Sequence, residues 1–357
     1  MIPNQINPSE NEGKIFENLR IRDTTPLQPA IPIITICGEI ISTEGNLTTI
    51  SGESKCGKSG FAGILISTAL SENGIIKGIE ELYVQPNTTG KAILHFDTEQ
   101  ARHTHKKNHL AILKRCGLTS CPDFFCSYNL KSLNPDEFAK VTSEICEYSN
   151  NIFNGIHLIV IDSGADYLSD FNDTIESGYI INYFEKLAIK YSVPIVIIIH
   201  TNPGKIQKEI GHLGSYFQRR SESVLTIKTD NDFSYVIPKY LRLADKKDIL
   251  PIIFTFDKEL GYHTGLKINN KIQFVEDSER FFTISKICTD IFKEGINLLH
   301  DQVIDSIIRK TRKSTGTANG MFKEMVAHNM ITQGSDKKWK ANTHYNYNEI
   351  EKIDLEG

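Results

Sequence analysis

The run Gly52-Glu53-Ser54-Lys55-Cys56-Gly57-Lys58-Ser59 restricts this chain to few folds, because it fits G-x-x-x-x-G-K-[ST] at every fixed position. That pattern works only where a buried strand, a tight loop and a helix follow one another. The strand is supplied by Asn46-Leu47-Thr48-Thr49-Ile50-Ser51, β-branched and apolar. Helical spacing comes next, with Phe61, Ile64, Leu65, Thr68 and Ala69 recurring until Gly74 stops the helix. Gly52 and Gly57 let the loop turn its N–H groups toward an anion, and the helix start adds partial positive charge. Gly52, Glu53, Ser54, Lys55, Cys56, Gly57, Lys58, Ser59 and Gly60 are therefore the expected contacts of a nucleoside triphosphate, ATP. Lys58 is expected to reach the β- and γ-phosphates, and the Ser59 hydroxyl to sit on Mg2+.

At 357 residues the chain can hold one large α/β domain and something smaller. A hydrophobic content of 39% and a charged content of 24% describe an ordinary soluble globular protein. No apolar run reaches the roughly eighteen residues of a membrane span, and Met1 to Asn11 is too polar for a signal peptide, so a cytoplasmic location is expected. Cys37, Cys56, Cys116, Cys121, Cys126, Cys146 and Cys288 include no C-x-x-C pair and read as reduced structural thiols. The net charge of −4 means that any nucleic-acid binding must be local.

Residues 1–30 are polar and proline-rich, an expected arm. Ile31 to Ile36 reads as an edge strand because of Pro32. After the P-loop unit, Ala92 to Phe96 is a buried strand ending at Asp97-Thr98-Glu99-Gln100, followed by a basic helix over about 101–115 and a strand from Phe124 to Tyr128. An amphipathic helix spans Glu137 to Ser149, and His157 to Asp162 is the most apolar strand. A helix over about 174–190 and a strand from Pro194 to Ile199, ending at His200, complete the alternation. Apolar strands alternating with helices predict an α/β fold with a parallel sheet covered on both faces. Ser223 to Lys228, Ser234 to Pro238 and Ile252 to Phe256 then read as antiparallel strands extending one edge.

A P-loop needs a carboxylate at a neighbouring strand end to hold magnesium, and Asp162 has that position as the Walker B residue. Asp162 is followed by Ser163-Gly164, so the general base must come from elsewhere, and Glu99 is the choice with Asp97 as the alternative. Asp97, two residues back, is expected on the same side of an extended strand.

The ordered set of P-loop, strand-end Glu99, Asp162 and the strand end His200-Thr201-Asn202 resembles RecA-fold ATPases, and among them the RepA-like group of plasmids and mobile elements, over residues 31 to about 260. The resemblance implies a RecA-like ATPase domain over 31–275 in which Glu99 acts on the attacking water and His200 and Asn202 sense the γ-phosphate. It implies a homo-oligomeric, hexameric ring with ATP and Mg2+ as cofactors and single-stranded DNA in its pore. Pro203 to Ile210 would be a DNA-facing loop with Lys205 and Lys208, and Gly211 to Ser215 matches the segment after it. Arg242 would be the arginine finger with Lys239 as companion, Arg219 and Arg220 competing. The acids Asp166, Asp170 and Asp173 after Asp162 depart from a DNA-lined pore.

From 280 to 345 the pattern becomes helix, basic turn (Arg312, Lys313), a helix from near Thr317 to Asn329, and a hairpin over Ile331 to Trp339, an expected winged helix-turn-helix ahead of a polar tail at 346–357. Residues 300–345 hold eight Lys and Arg against four Asp and Glu, a net of +4 in a chain of net −4, which suits duplex DNA. Thr315, Thr317 and Asn319, at the start of the second helix, are placed to reach base edges or to cap the helix, and capping is expected of at least one of them. Two functions fit: a DNA helicase driven by ATP, or an ATP-dependent DNA-binding switch such as a loader, recombination mediator or regulator.

Overall fold

The computed structural model describes residues 16–17, 19–26, 29–170, 172–201, 211–230, 233–265, 284, 287–288, 290–292, 295–327, 330–334 and 336–342. Two units divide at residue 31. In the first, Glu17 pairs with Arg20 at 3.5 Å and with Arg22.

The second unit begins with β1 (Pro32–Ile36), β2 (Glu39–Thr43) and β3 (Leu47–Gly52), followed by α1 (Lys58–Leu70) and β4 (Leu82–Val84). Next come β5 (Ala92–Asp97), α2 (Arg102–Arg115), β6 (Phe125–Asn129), α3 (Pro135–Ile152), β7 (Ile156–Asp162), α4 (Thr174–Tyr191) and β8 (Ile195–His200). Then α5 (Gly211–Arg220) leads to β9 (Ser223–Asp230), β10 (Phe233–Leu241), β11 (Ile252–Asp257) and β12 (Tyr262–Gly265). The chain closes with α6 (His300–Thr311), α7 (Thr315–Ala327), β13 (Ile331–Gln333) and β14 (Trp339–Ala341).

Nine of the described strands form one sheet in the order β12-β11-β10-β9-β3-β8-β7-β5-β6, parallel from β9 to β6 and antiparallel beyond β9. Its central strands β3, β5, β7 and β8 are buried on both faces, so successive residues feed different cores. Leu158 and Val160 of β7 and Val196 and Ile198 of β8 join one cluster with Phe61, Ile64 and Leu65 of α1. Ile159, Ile161, Ile195 and Ile197 join the other, with Phe184 of α4 and Phe217 of α5. Both faces are thus closed, and the strand ends at Gly52, Asp97, Asp162 and His200 come together at one sheet edge. Among the described residues, no helix is long and apolar enough to cross a membrane.

Two expectations about strands are corrected. The Pro32 strand is the middle of a separate small sheet, β2-β1-β4, and is not an edge. Pro32 is its first residue, where a missing N–H costs no ladder bond. The Ser223 strand is parallel to β3, from Thr48 opposite Ser223 to Gly52 opposite Ile227, because α5 provides the crossover that a parallel neighbour requires. β2, β4 and β12 had no counterpart in the sequence reading.

A third apolar cluster lies in the C-terminal part, where Val303, Ile304 and Ile307 of α6 pack with Met321, Phe322 and Met325 of α7 and Ile331 of β13. Trp339 stands edge-on to Phe322 at 5.0 Å, and β13 pairs antiparallel with β14. The Ser314 hydroxyl, and none of Thr315, Thr317 or Asn319, accepts the Thr317 N–H at 3.3 Å at the start of α7. The boundary expected near 275–280 and the tail at 346–357 lie outside the described residues.

Candidate functional site

The loop between β3 and α1 turns on Gly57, whose φ of 92° is left-handed and suits glycine. A side chain there would also meet Ser234 Oγ at 2.8 Å, and one at Gly52 would meet the Ile227 carbonyl at 2.7 Å, so both glycines are required by close approach. Lys55, Gly57, Lys58, Ser59 and Gly60 line a cleft of about 350 Å³. Gly52, Glu53, Ser54 and Cys56 of the expected contact set do not line it. Cys56 is buried and faces Gly52 and Lys58. Lys58 Nζ donates to the Gly52 carbonyl at 3.0 Å and to the Glu53 carbonyl. Burial holds its pKa below the ordinary lysine value.

Asp162, at the end of β7, lines the same cleft as Ser59, whose side chain faces its carboxyl. Burial lifts its carboxyl to about 6, with Asp97 and Glu99 adding repulsion and the Ser59 hydroxyl opposing. A hydroxyl and a carboxylate facing each other, beside one ammonium and the amides of a helix start, suit a magnesium–triphosphate.

Glu99 is not on the strand. β5 ends at Asp97, whose Oδ1 accepts the N–H groups of Glu99 at 3.1 Å and Gln100 at 2.8 Å. This turn sends the two carboxylates to different surroundings, which corrects the expectation that they share a side. Asp97 is 1% exposed, and its Oδ2 accepts from His105 Nδ1 at 2.7 Å. Burial raises its pKa, but the His105 and Gln100 bonds and the nearby imidazoles outweigh this and hold it below the ordinary value. Glu99 opens into the cleft, 3.4 Å from His200 Nε2. That bond first, then the His200 and Lys58 charges, keeps its carboxyl below the ordinary value despite partial burial. His200 Nδ1 is buried and has no hydrogen-bond partner among the described residues.

Several side chains that sequence reasoning missed fix this turn. Lys131 Nζ donates to the Glu99 carbonyl at 2.6 Å, Asn129 Nδ2 to the Gln100 carbonyl at 2.9 Å, and Asn108 Nδ2 to Gln100 Oε1 at 2.7 Å. His105 Nε2 stands 3.0 Å from Ser127 Oγ, which stands 2.9 Å from His95 Nδ1, so a chain of contacts joins Asp97 to a wall of the cleft. Part of the lining also comes from β12, where His263 lies against Gly60 and Tyr262 lies under Arg115 at 5.1 Å. Histidines at 95, 105 and 109, each paired with β5 or β6, were the available signal for the first group. For β12 no local signal existed.

Arg242 follows β10 and does not line the cleft; its guanidinium donates to the Arg219 carbonyl at 2.6 Å. Arg220 is paired with Glu185, and Arg219 lies over Tyr216. Lys239 lies 5.8 Å from the Tyr240 ring. Asn202, Lys205 and Lys208 lie outside the described residues. The loop acids are used locally: Asp166 accepts from Thr98 Oγ1 at 2.7 Å, Asp170 from the Asn172 N–H at 2.8 Å, and Asp173 caps α4. In the C-terminal part Arg312, Lys313, Lys337, Lys338 and Lys340 are exposed, and Lys310 pairs with Asp290 at 3.3 Å.

No family model matches the sequence, and neither does any curated protein. Among solved structures, the crystal structure of the RadB recombinase is similar to 63% of this chain and is covered over 92% of its own length, at 15% identity and a TM-score of 0.43. A likeness of that size leaves the function to be argued from the site.

Proposed function

We propose that the chain is an ATP-hydrolysing RecA-like P-loop ATPase that binds DNA, a RepA-like hexameric helicase of plasmid or mobile-element replication working in the cytoplasm. The observation that carries this reading is the convergence of Lys58, the Ser59–Asp162 pair and Glu99 with His200 in one cleft. Ser59 and Asp162 would hold Mg2+, which when bound neutralises phosphate charge, and Lys58 would leave the loop carbonyls for the phosphates. Glu99, kept ionised by His200 and Lys58, is the base that takes a proton from the attacking water, and the Asp97 turn aims it. His200 is the polar group at the γ-phosphate, and its buried Nδ1 suits a role completed by a further partner. Arg242 of one subunit completes the cleft of the next.

The ATPase domain takes residues 31–275, with single-stranded DNA in the ring pore. Residues 280–345 form a winged helix-turn-helix for duplex DNA. Its support is the order α6, α7, β13, β14 with exposed cations in the turn and hairpin. A second reading, an ATP-dependent DNA-binding switch without unwinding, is favoured by the acids after Asp162, which keep negative charge at that loop. Incubation of the purified protein with ATP and a forked duplex separates the two. ATP-dependent strand separation supports the helicase, ATP-dependent binding without it supports the switch, and the absence of both hydrolysis and ATP-dependent binding sinks both.

A further inference from the structure

A second cleft, of about 660 Å³, adjoins the Glu99 turn and is used by none of the roles above. Arg102 and Lys106, one helical turn apart on α2, meet Lys131 there, beside His105 and His109. No carboxylate lines it among the described residues, while Ser127 and Asn129 add polar donors. Three cations gathered in one concavity without a lining acid repel one another, a cost that an anionic occupant removes. His109 feels that field, since burial and then the Lys106 charge hold its imidazole below the ordinary value. Arg102 contributes a planar fork of donors suited to phosphate oxygens, and the two lysines add point charges.

We infer that this cleft is a binding site for phosphate groups, carried by a nucleic-acid strand or by a free phosphorylated molecule, and that its occupant acts on Glu99 through Lys131. The Lys131 ammonium lines the cleft and also donates to the Glu99 carbonyl at 2.6 Å. Asn129 belongs to the same wall and donates to the Gln100 carbonyl at 2.9 Å. A phosphate beside Lys131 competes for its N–H groups and loosens the Glu99 side of the turn, while Asp97 still holds the two amides. The site stands on its own charges; the coupling rests on the hydrolytic role proposed for Glu99.

The test uses the full chain without nucleotide, in a Lys58→Ala background so that the P-loop binds phosphate weakly. One arm titrates a labelled oligothymidylate, the other pyrophosphate. Each is repeated with Arg102→Ala and Lys106→Ala together, both exposed positions whose loss leaves the fold intact. In at least one arm the double variant should bind about tenfold or more weakly. If the strand is the occupant, the salt slope should also flatten by about 1.4, two single-strand phosphate contacts. Equal affinity of double variant and parent in both arms overturns the site. So does weaker binding that tracks a changed oligomeric state in sedimentation. For the coupling, saturating occupant should change kcat of the protein with Lys58 intact, and this response should vanish in the double variant. Binding lost but kcat indifferent overturns the coupling alone, and a protein without ATPase leaves both binding arms readable.

Discussion

Asp97 and Glu99 stand two positions apart and face opposite kinds of surroundings, so amide substitution should separate stability from turnover. Asp97→Asn keeps an oxygen for the Glu99 and Gln100 N–H groups but presents an N–H toward His105 Nδ1, which donates to Oδ2 at 2.7 Å. The loss is one buried, charge-assisted hydrogen bond, about 2 kcal/mol. Because Asp97 is held below its ordinary value, its contribution is present above the unfolded carboxylate pKa and disappears as pH falls through the lower folded value. Relief is available only if His105 changes tautomer and Ser127 reverses its hydroxyl toward His95. Glu99→Gln loses only a 3.4 Å contact on a half-exposed side chain, so stability should move by less than about 0.5 kcal/mol. Its turnover, however, should fall by a hundredfold or more as the base is removed. Urea unfolding at neutral pH and single-turnover hydrolysis measure the two quantities. An Asp97→Asn protein as stable as the parent would refute the bonding scheme. Full turnover in Glu99→Gln would refute the assignment of the base.

Lys58→Ala should abolish hydrolysis and weaken ATP binding in equilibrium dialysis, and undiminished activity would remove the central reading. Asp162 is lifted from 3.8 to about 6, so the folded state favours the protonated acid, and that advantage is lost as pH rises through about 6. In metal-free buffer, Asp162→Asn should therefore gain up to about 3 kcal/mol over the parent at pH 8, a gain absent near pH 4, while losing hydrolysis; a pH-independent difference in unfolding would contradict this. Arg242→Ala should bind ATP but hydrolyse it slowly, and mixing it with Lys58→Ala subunits should restore part of the activity. A monomer in sedimentation would exclude that complementation. Neutralising Lys337, Lys338 and Lys340 together should flatten the salt dependence of duplex binding by about 2.7, and an unchanged slope would assign that face to something other than duplex phosphates.

The parallel core was legible because unbroken apolar runs carry their signal locally. Val160 and Ile161 need no knowledge of their neighbours to read as a strand buried on both faces. Lys58, Ser59 and Asp162 were legible for a similar reason, since glycine spacing and a strand-terminal acid are short-range signals. What escaped was set by long-range partners. β2 and β4 exist as strands because they flank β1, and β12 because β11 is beside it. Glu99 was assigned to a strand end and sits in a turn, since nothing in Asp97-Thr98-Glu99 says that Asp97 Oδ1 will take the two following amides. Lys131 and Asn129 were silent because their targets are backbone carbonyls, which leave no trace in side-chain composition.

The strand that carries the P-loop has its neighbours late in the chain: β3 is flanked by β8 from Ile195 and by β9 from Ser223. A nascent chain emerging as far as residue 190 therefore displays the whole glycine loop on a strand with both edges open. Its amides have nothing to fix their direction, and the closing of such distant pairings is entropically slow. Nucleotide capture should thus begin only after β9 has left the ribosome, which makes the C-terminal half of the core a timer for the N-terminal motif. Premature termination between β8 and β9 would yield a product with an intact motif, one raw strand edge and a tendency to self-associate.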